Sequence, residues 1–352
     1  QQLEQAGWIE SLAAGVQRLD ESNAFISIDI ELTESGRAAT DEITNALFSF
    51  IELLKAQDPE AWRYDEQARV AELGFQYQEK SSPTGFVYRA APNLARYAPE
   101  EVLVADYLMD GMDAELIRQF LSYLRPDNVL IERSGPDVPA DQMEAYFQVP
   151  YQLQTNIELD PQTESGRLHL PEPNPFIPEA LALTVESTEP PRLAIDKPGT
   201  ELWLAPDAEF GVPRANQTFF LGLPGGLKTA EDVALAQLYA QLVNDALNPY
   251  TYPAMLAGLG HSISTSPAGF RLALSGYSEK QPVLLERVLE EFSGLEIDQD
   301  RFDRYQAELV RTWRNFSHER PYTQAYAALS QLLLSTSFAP AALADAAEAL
   351  RT

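Results

Sequence analysis

From residue 26 to residue 32 the chain alternates without exception: Ile26, Ile28, Ile30 and Leu32 are apolar, and Ser27, Asp29 and Glu31 are polar. A period of two places every apolar residue on one face of a strand, so a half-buried strand is predicted there. Thr33-Glu34-Ser35-Gly36 breaks it. The period then changes, and Ile43, Leu47, Phe50, Ile51 and Leu54 recur three and four apart, the stripe of an amphipathic helix. The same reading gives helix-compatible residues through Trp8 and helices over 61–79, 99–109 and 113–124. A short buried strand is predicted at Val129-Leu130-Ile131. The second half repeats this order. Strands are predicted at Leu202-Trp203-Leu204 and 218–221, with a turn at Pro224-Gly225-Gly226. A long helix follows over about 230–247, opened by Thr229 and Asp232 in the spacing of a capping box. A hairpin around 261–264 and 270–274 precedes helices over 280–293 and 300–315 and a last helical region. The fold class predicted is α+β, with one kind of domain present in two related copies.

Proline marks the joint between them. Nine of the 25 prolines fall from Pro150 to Pro198, and the run Pro171-Glu172-Pro173-Asn174-Pro175-Phe176-Ile177-Pro178 reads as extended chain. The expected division is a domain over 1–150, a linker over 151–200 and a second domain over 201–352. Length agrees, because 352 residues exceed what one hydrophobic core usually organises. The 53 acids and 25 bases leave a net charge of −28, of which −16 (11 bases, 27 acids) lies in residues 1–150. Such a chain repels a phosphate backbone and an anionic bilayer surface, so neither nucleic acid nor a membrane is an expected partner. With no cysteine there is no disulfide, thiolate metal site or thiol nucleophile. The chain opens with Gln1-Gln2-Leu3 rather than Met, which suggests an internal piece of a longer protein.

Candidate chemistry is sparse. The three histidines are His169, His261 and His318. A zinc site of the common helical types needs paired histidines, but the position that His318-Glu319 would need for its second ligand is Tyr322, behind Pro321. Ser134-Gly135 and Ser275-Gly276 lack the first glycine of a nucleophile elbow. Ser262, Ser264 and Ser266 beside His261 read as a polar strand face. Pro224-Gly225-Gly226 lacks the Gly-Lys ending of a phosphate loop. Pairs such as Asp29 and Glu31 read as solvated carboxylates. No catalytic or metal-binding residue is assigned.

The order of several short segments nevertheless carries a resemblance. They are Gly7-Trp8-Ile9, Leu12-Ala13-Ala14-Gly15, Leu32-Thr33-Glu34 with Gly36, Pro99-Glu100-Glu101-Val102-Leu103, Leu124-Arg125-Pro126-Asp127-Asn128-Val129 and Asn174-Pro175-Phe176-Ile177-Pro178. Further on come Leu202-Trp203, Val212-Pro213, Asn248 with Tyr250 and Tyr252, Leu256-Ala257-Gly258-Leu259, Gly276-Tyr277-Ser278 with Lys280-Gln281-Pro282, and Asn315-Phe316 with Pro321. Over nearly its whole length the chain resembles the central part of the insulin-degrading enzyme and pitrilysin family of zinc metallopeptidases.

The resemblance implies four homologous metallohydrolase-like α+β domains, each a sheet with helices on one side, enclosing a peptide-sized chamber. Residues 1–150 would be part of the second domain, 151–200 the interdomain linker, and 201–352 a third domain lacking its C-terminal end. Zinc, its ligands and the general-base Glu belong to the family's first domain, so no cofactor is expected in this segment. Zinc is expected in the full-length parent, a bacterial endopeptidase. Peptides are the implied substrates, and the parent's first and fourth domains the implied partners. Self-association of the isolated segment is also expected. One role carries over by position: an edge strand that takes the N-terminal region of the substrate by strand addition corresponds to Leu12, Ala13, Ala14 and Gly15. The residues alone leave open whether Leu12 to Val16 is that strand or a helix-to-strand turn. The family pattern has two glycines where Ala14-Gly15 stands, which reduces backbone latitude. The acidity of residues 1–150 is expected to favour basic peptides. A second reading stays open, an inactive relative that uses the same scaffold for binding or for assembly of a processing complex. The family's frequent export implies the periplasm, with the cytoplasm as the alternative.

Overall fold

The computed structural model describes residues 2–20, 22–136, 138–155, 168–183 and 185–351. Residues 156–167 and 184, which belong to the predicted linker, lie outside the described residues. The fold is α+β, with helices around small antiparallel sheets. The chain divides into two compact units, one of Gln1–Tyr64 with Asp110–Pro173, the other of Asp65–Met109 with Asn174–Thr352. Residues 65–109 thus group with the second unit, a division that local periodicity does not register.

In the first unit, α1 (Gln2–Gln5) leads into a long hairpin of β1 (Ile9–Arg18) and β2 (Ala24–Leu32). Two helices follow, α2 (Glu34–Ala38) and α3 (Thr40–Ala56), the latter burying Ile43, Phe48 and Ile51. A further helix, α4 (Ala61–Gln76), passes into the second unit, to which α5 (Pro83–Leu94) belongs entirely. The first unit resumes with α6 (Ala114–Ser122), packed beside α3, and with β3 (Gln142–Met143) paired to β4 (Pro150–Tyr151). Lys55 at the end of α3 donates to the Leu124 carbonyl at 2.7 Å, just beyond α6.

The second unit continues with the hairpin of β5 (Arg192–Lys197) and β6 (Thr200–Leu204), then β7 (Arg214–Gly222). Next comes α7 (Ala230–Leu256), after which β8 (Leu259–Ser266) and β9 (Gly269–Tyr277) join β7 in the order β7-β9-β8. The chain then runs through α8 (Gln281–Gly294), α9 (Gln299–Asn315), α10 (Pro321–Leu333) and α11 (Pro340–Ala349). The core forms where Val243 and Leu247 of α7 and Leu284 and Val288 of α8 meet Leu272 and Leu274 of β9. Phe176 is 1% exposed, its ring 5.1 Å from that of Tyr250, and its neighbour Asn174 donates to the Pro253 carbonyl of α7 at 2.8 Å.

Local chemistry accounts for several elements. The Thr229 hydroxyl accepts from the Asp232 amide, and the Asp232 carboxylate accepts from the Thr229 amide, so the predicted capping box opens α7. At the preceding turn Gly226 has φ of +69°, and a Cβ there would lie 2.7 Å from the Pro267 carbonyl oxygen. The fully buried Gln281 donates to the Ala215 and Gly276 carbonyls and accepts from Gln217, tying the start of α8 to the sheet. The Gly276-to-Pro282 segment is therefore structural.

Three predicted elements need correction, and two elements were not predicted. Residues 99–109 form successive turns and one short 3₁₀ segment at Ala105–Tyr107, its amides bonding mainly three residues back (Glu101 to Ala98, Val104 to Glu101, Tyr107 to Val104) rather than in a continuous α-helical ladder. Val129-Leu130-Ile131 is not a strand; Leu130 is 85% exposed, and no described strand lies alongside to pair with it. Helix α5 had no periodic signal, since its Phe86, Val87 and Tyr88 are all exposed. Residues 192–197, read as linker, form β5. Moreover, α7 runs through Pro249 and Pro253 to Leu256, well beyond 247.

Candidate functional site

Leu12, Ala13, Ala14 and Gly15 lie in the middle of β1, so this segment is a strand and not a turn. Each pairs with β2, in the register Leu12–Ile30, Ala13–Asp29, Ala14–Ile28 and Gly15–Ser27. Among the described residues no strand pairs with the other edge of β1. Every residue from Glu10 to Arg18 is exposed, and a Cβ built on Gly15 would meet nothing within 4 Å. Half the backbone amides and carbonyls of β1 therefore face outward without a ladder partner, the template onto which an extended chain can add.

The register gives this ribbon two unlike faces, since directly paired residues share a side. On one are Leu12, Ala14 and Val16 with Ile26, Ile28 and Ile30. On the other are Ser11, Ala13 and Gly15 with Ser27, Asp29 and Glu31. Ser11 donates to Glu31 at 3.2 Å and Ser27 to Asp29 at 2.8 Å, so that face is polar and acidic. A strand added at the free edge would lie about 10 Å from β2, two strand spacings away. The small side chains of Ala13 and Gly15 leave that span open, and a Lys or Arg side chain is long enough to cross it to Asp29.

Both ends of the ribbon are fixed locally. At the tip the Asp20 carboxylate accepts from the Asn23 side chain and from the Ser22 and Asn23 amides at 2.7 to 2.9 Å. These bonds, led by the Asn23 side chain, hold the Asp20 pKa below its ordinary value. At the base, the Thr33 hydroxyl caps α2 by accepting from Gly36 and donates to the Gly7 carbonyl at 2.6 Å. Ser35 donates to the same carbonyl, and the Thr33 amide bonds to Trp8. The Leu32-to-Gly36 segment is thus a clamp on the entry to β1.

Elsewhere the chemistry stays dispersed. Burial pushes the His261 pKa down, and its Nε2 meets no hydrogen-bond partner among the described residues. His318 ends a 3₁₀ turn, and His169 is exposed. Among the described residues no three His, Cys, Asp or Glu side chains come together as a metal site. An open cleft of about 480 Å³ beside α4 is floored by Phe75 and Tyr107, and its Arg69 and Glu72 are paired with each other at 2.7 Å. It offers no convergent catalytic groups.

Comparison with known proteins gives the family of the chain. Residues 75–346 match the family model described as the middle or third domain of peptidase M16. The chain is 30% identical over 360 residues to insulin-degrading enzyme of Homo sapiens, covering 98% of this chain and 35% of that protein. To insulin-degrading enzyme of Drosophila melanogaster it is 31% identical over 362 residues, covering 99% and 36%. The chain therefore spans about a third of the length of these relatives. Among solved structures it resembles that of pitrilysin, with a TM-score of 0.66 and 23% identity over 89% of this chain and 34% of that one. At that identity the likeness is one of fold.

Proposed function

Because the chain belongs to the family of the middle or third domain of peptidase M16, we propose that it is the non-catalytic central part of a zinc endopeptidase, and that β1 captures peptide substrates by strand addition. In this reading the chain forms part of the wall of a peptide-sized chamber, and the metal and its general base lie outside it. The work of this chain is to bind and orient. The observation that carries the proposal is the exposed, singly paired β1, with Ala13, Ala14 and Gly15 at its centre. Main-chain pairing accepts many sequences, which suits a peptidase with varied substrates. Specificity would come from side chains beside the added strand, and Asp29 and Glu31 favour a basic residue there.

Proline substitution tests this. Successive amides along a strand point to opposite edges, so of Ala13→Pro and Ala14→Pro one removes an outward donor and the other a donor to β2. The outward one is expected to weaken binding of a labelled extended peptide about two- to ten-fold, the worth of one or two hydrogen bonds, with the far-ultraviolet circular dichroism of the chain unchanged. Equal affinity for wild type and both variants would sink the assignment.

A further inference from the structure

Residues 210–230 and 246–278 contain neither Asp nor Glu, and their bases are Arg214, Lys228 and Arg271, in a chain of 53 acids and 25 bases. These two stretches build the three-stranded sheet of the second unit, β7 in the first and β8 with β9 in the second. One face of the sheet is core, where Ile263, Leu272 and Leu274 are buried. Directly paired residues share a side. The opposite face therefore carries Phe220, Arg271 and Ser264 in one row across the strands and Thr218, Ala273 and Ser262 in the next. All are exposed except the half-buried Ala273, and Phe220 is 70% exposed. One end of this face is closed. There Arg214 lies 5.0 Å over the Tyr277 ring and pairs with Glu79 at 3.5 Å, while Tyr77 packs edge-on against Tyr277. The other end, beside the turn that leads from β7 to α7, is open.

At that open end Arg271 makes no ion pair or hydrogen bond among the described residues. The turn adds Lys228. Glu231 and Asp232 follow it, and Asp232 is taken up by the Lys228 and Thr229 amides in the cap of α7. Phe220 and Ser264 flank Arg271 at cross-strand distance, with Cβ atoms about 4.5–5.5 Å apart. A guanidinium fork matches the two oxygens of a carboxylate, and the hydroxyls of Ser264, Ser262 and Thr218 are further donors. Phe220 supplies an apolar contact for the group beside that carboxylate. An acidic ligand meets repulsion over most of a chain of net charge −28, but this sheet has no acid of its own to repel it. We infer that the open face of the β7-β9-β8 sheet binds an acidic peptide segment, with an Asp or Glu carboxylate on Arg271 and a neighbouring apolar residue on Phe220. That the carboxylate arrives on a peptide rests on the proposed function. Strand addition at β1 is not required for it.

The test is fluorescence anisotropy of the 352-residue chain with a labelled hexapeptide carrying adjacent Phe and Glu, beside the same peptide with Gln in place of Glu. The wild type is expected to bind the Glu peptide about three- to ten-fold more tightly, the size of a charge-assisted hydrogen bond at an exposed site. Arg271→Gln should abolish that preference, and Phe220→Ala should weaken both peptides alike. Arg192→Gln, which removes an exposed cation of β5, should change neither. Higher salt should narrow the preference. Equal affinity of the wild type for the two peptides overturns the proposal, as does a preference that survives Arg271→Gln. The β1 variants Ala13→Pro and Ala14→Pro separate this face from strand addition, since both should keep the preference for Glu. A preference that they remove and Arg271→Gln leaves intact would place the acidic peptide at β1 and overturn the assignment to this sheet.

Discussion

A methyl group added at Gly36 would run into the carbonyl oxygen of Trp8, the residue before β1. Gly36→Ala must therefore push the start of β1 away from the Thr33 clamp, at a cost of about 1–3 kcal/mol, the usual range for overpacking. Urea unfolding of the variant would show it as a lower midpoint with the slope unchanged. At the far end of the hairpin Asp20 gives a pH signature. Its folded pKa is depressed, so its contribution is complete above the ordinary Asp value and is lost as pH falls through the folded pKa. The Ser22 and Asn23 amide resonances should accordingly stay fixed from pH 7 to 5 and shift only below the ordinary carboxylate range. In Asp20→Asn that titration should disappear. The sequence marks a break at Gly36 but not a turn at Asp20, and neither the Trp8 contact nor the fourfold use of one carboxylate is visible in it.

Among the elements, those read correctly carry one strong local pattern. The alternation of 26–32 gives β2, the stripe of 43–54 gives α3, and Thr229 with Asp232 opens α7. Elements set by distant partners were not readable. Leu12-Ala13-Ala14-Gly15 has no alternation because β1 is exposed on both faces, and its conformation comes from β2 across the hairpin. The 99–109 segment has a helical pattern but folds as successive turns with amides bonded three residues back. In α10 the period is plain, but which face turns inward is a matter of its surroundings. Extended chain can also be anchored firmly, as the proline run shows: Asn174 and Phe176 dock on α7 beside Pro253 and Tyr250. Phe176→Ala is expected to destabilise the second unit by about 3–5 kcal/mol, the range for a buried aromatic. Chemical denaturation followed by fluorescence would measure it, and a loss below about 1 kcal/mol would mean the docking contributes little to stability.

At the scale of the whole molecule, composition set limits that the structure fills in. A net charge of −28 makes nucleic acid and an anionic membrane surface unexpected partners but names none. Part of that charge, Asp29 and Glu31, lies on the polar face of the β1–β2 ribbon, where under the proposed function it would meet a basic residue of an added peptide. The chain spans about a third of the length of the relatives it matches. Strand addition to β1 is the central claim, and amide hydrogen exchange along the chain tests it most directly, with and without a saturating, Lys-containing extended peptide. Slower exchange is expected within residues 11–16, with unchanged exchange in the β8–β9 hairpin and a weaker effect from the same peptide with Glu in place of Lys. Exchange at β1 that is indifferent to bound peptide, or protection that appears only elsewhere, would contradict it.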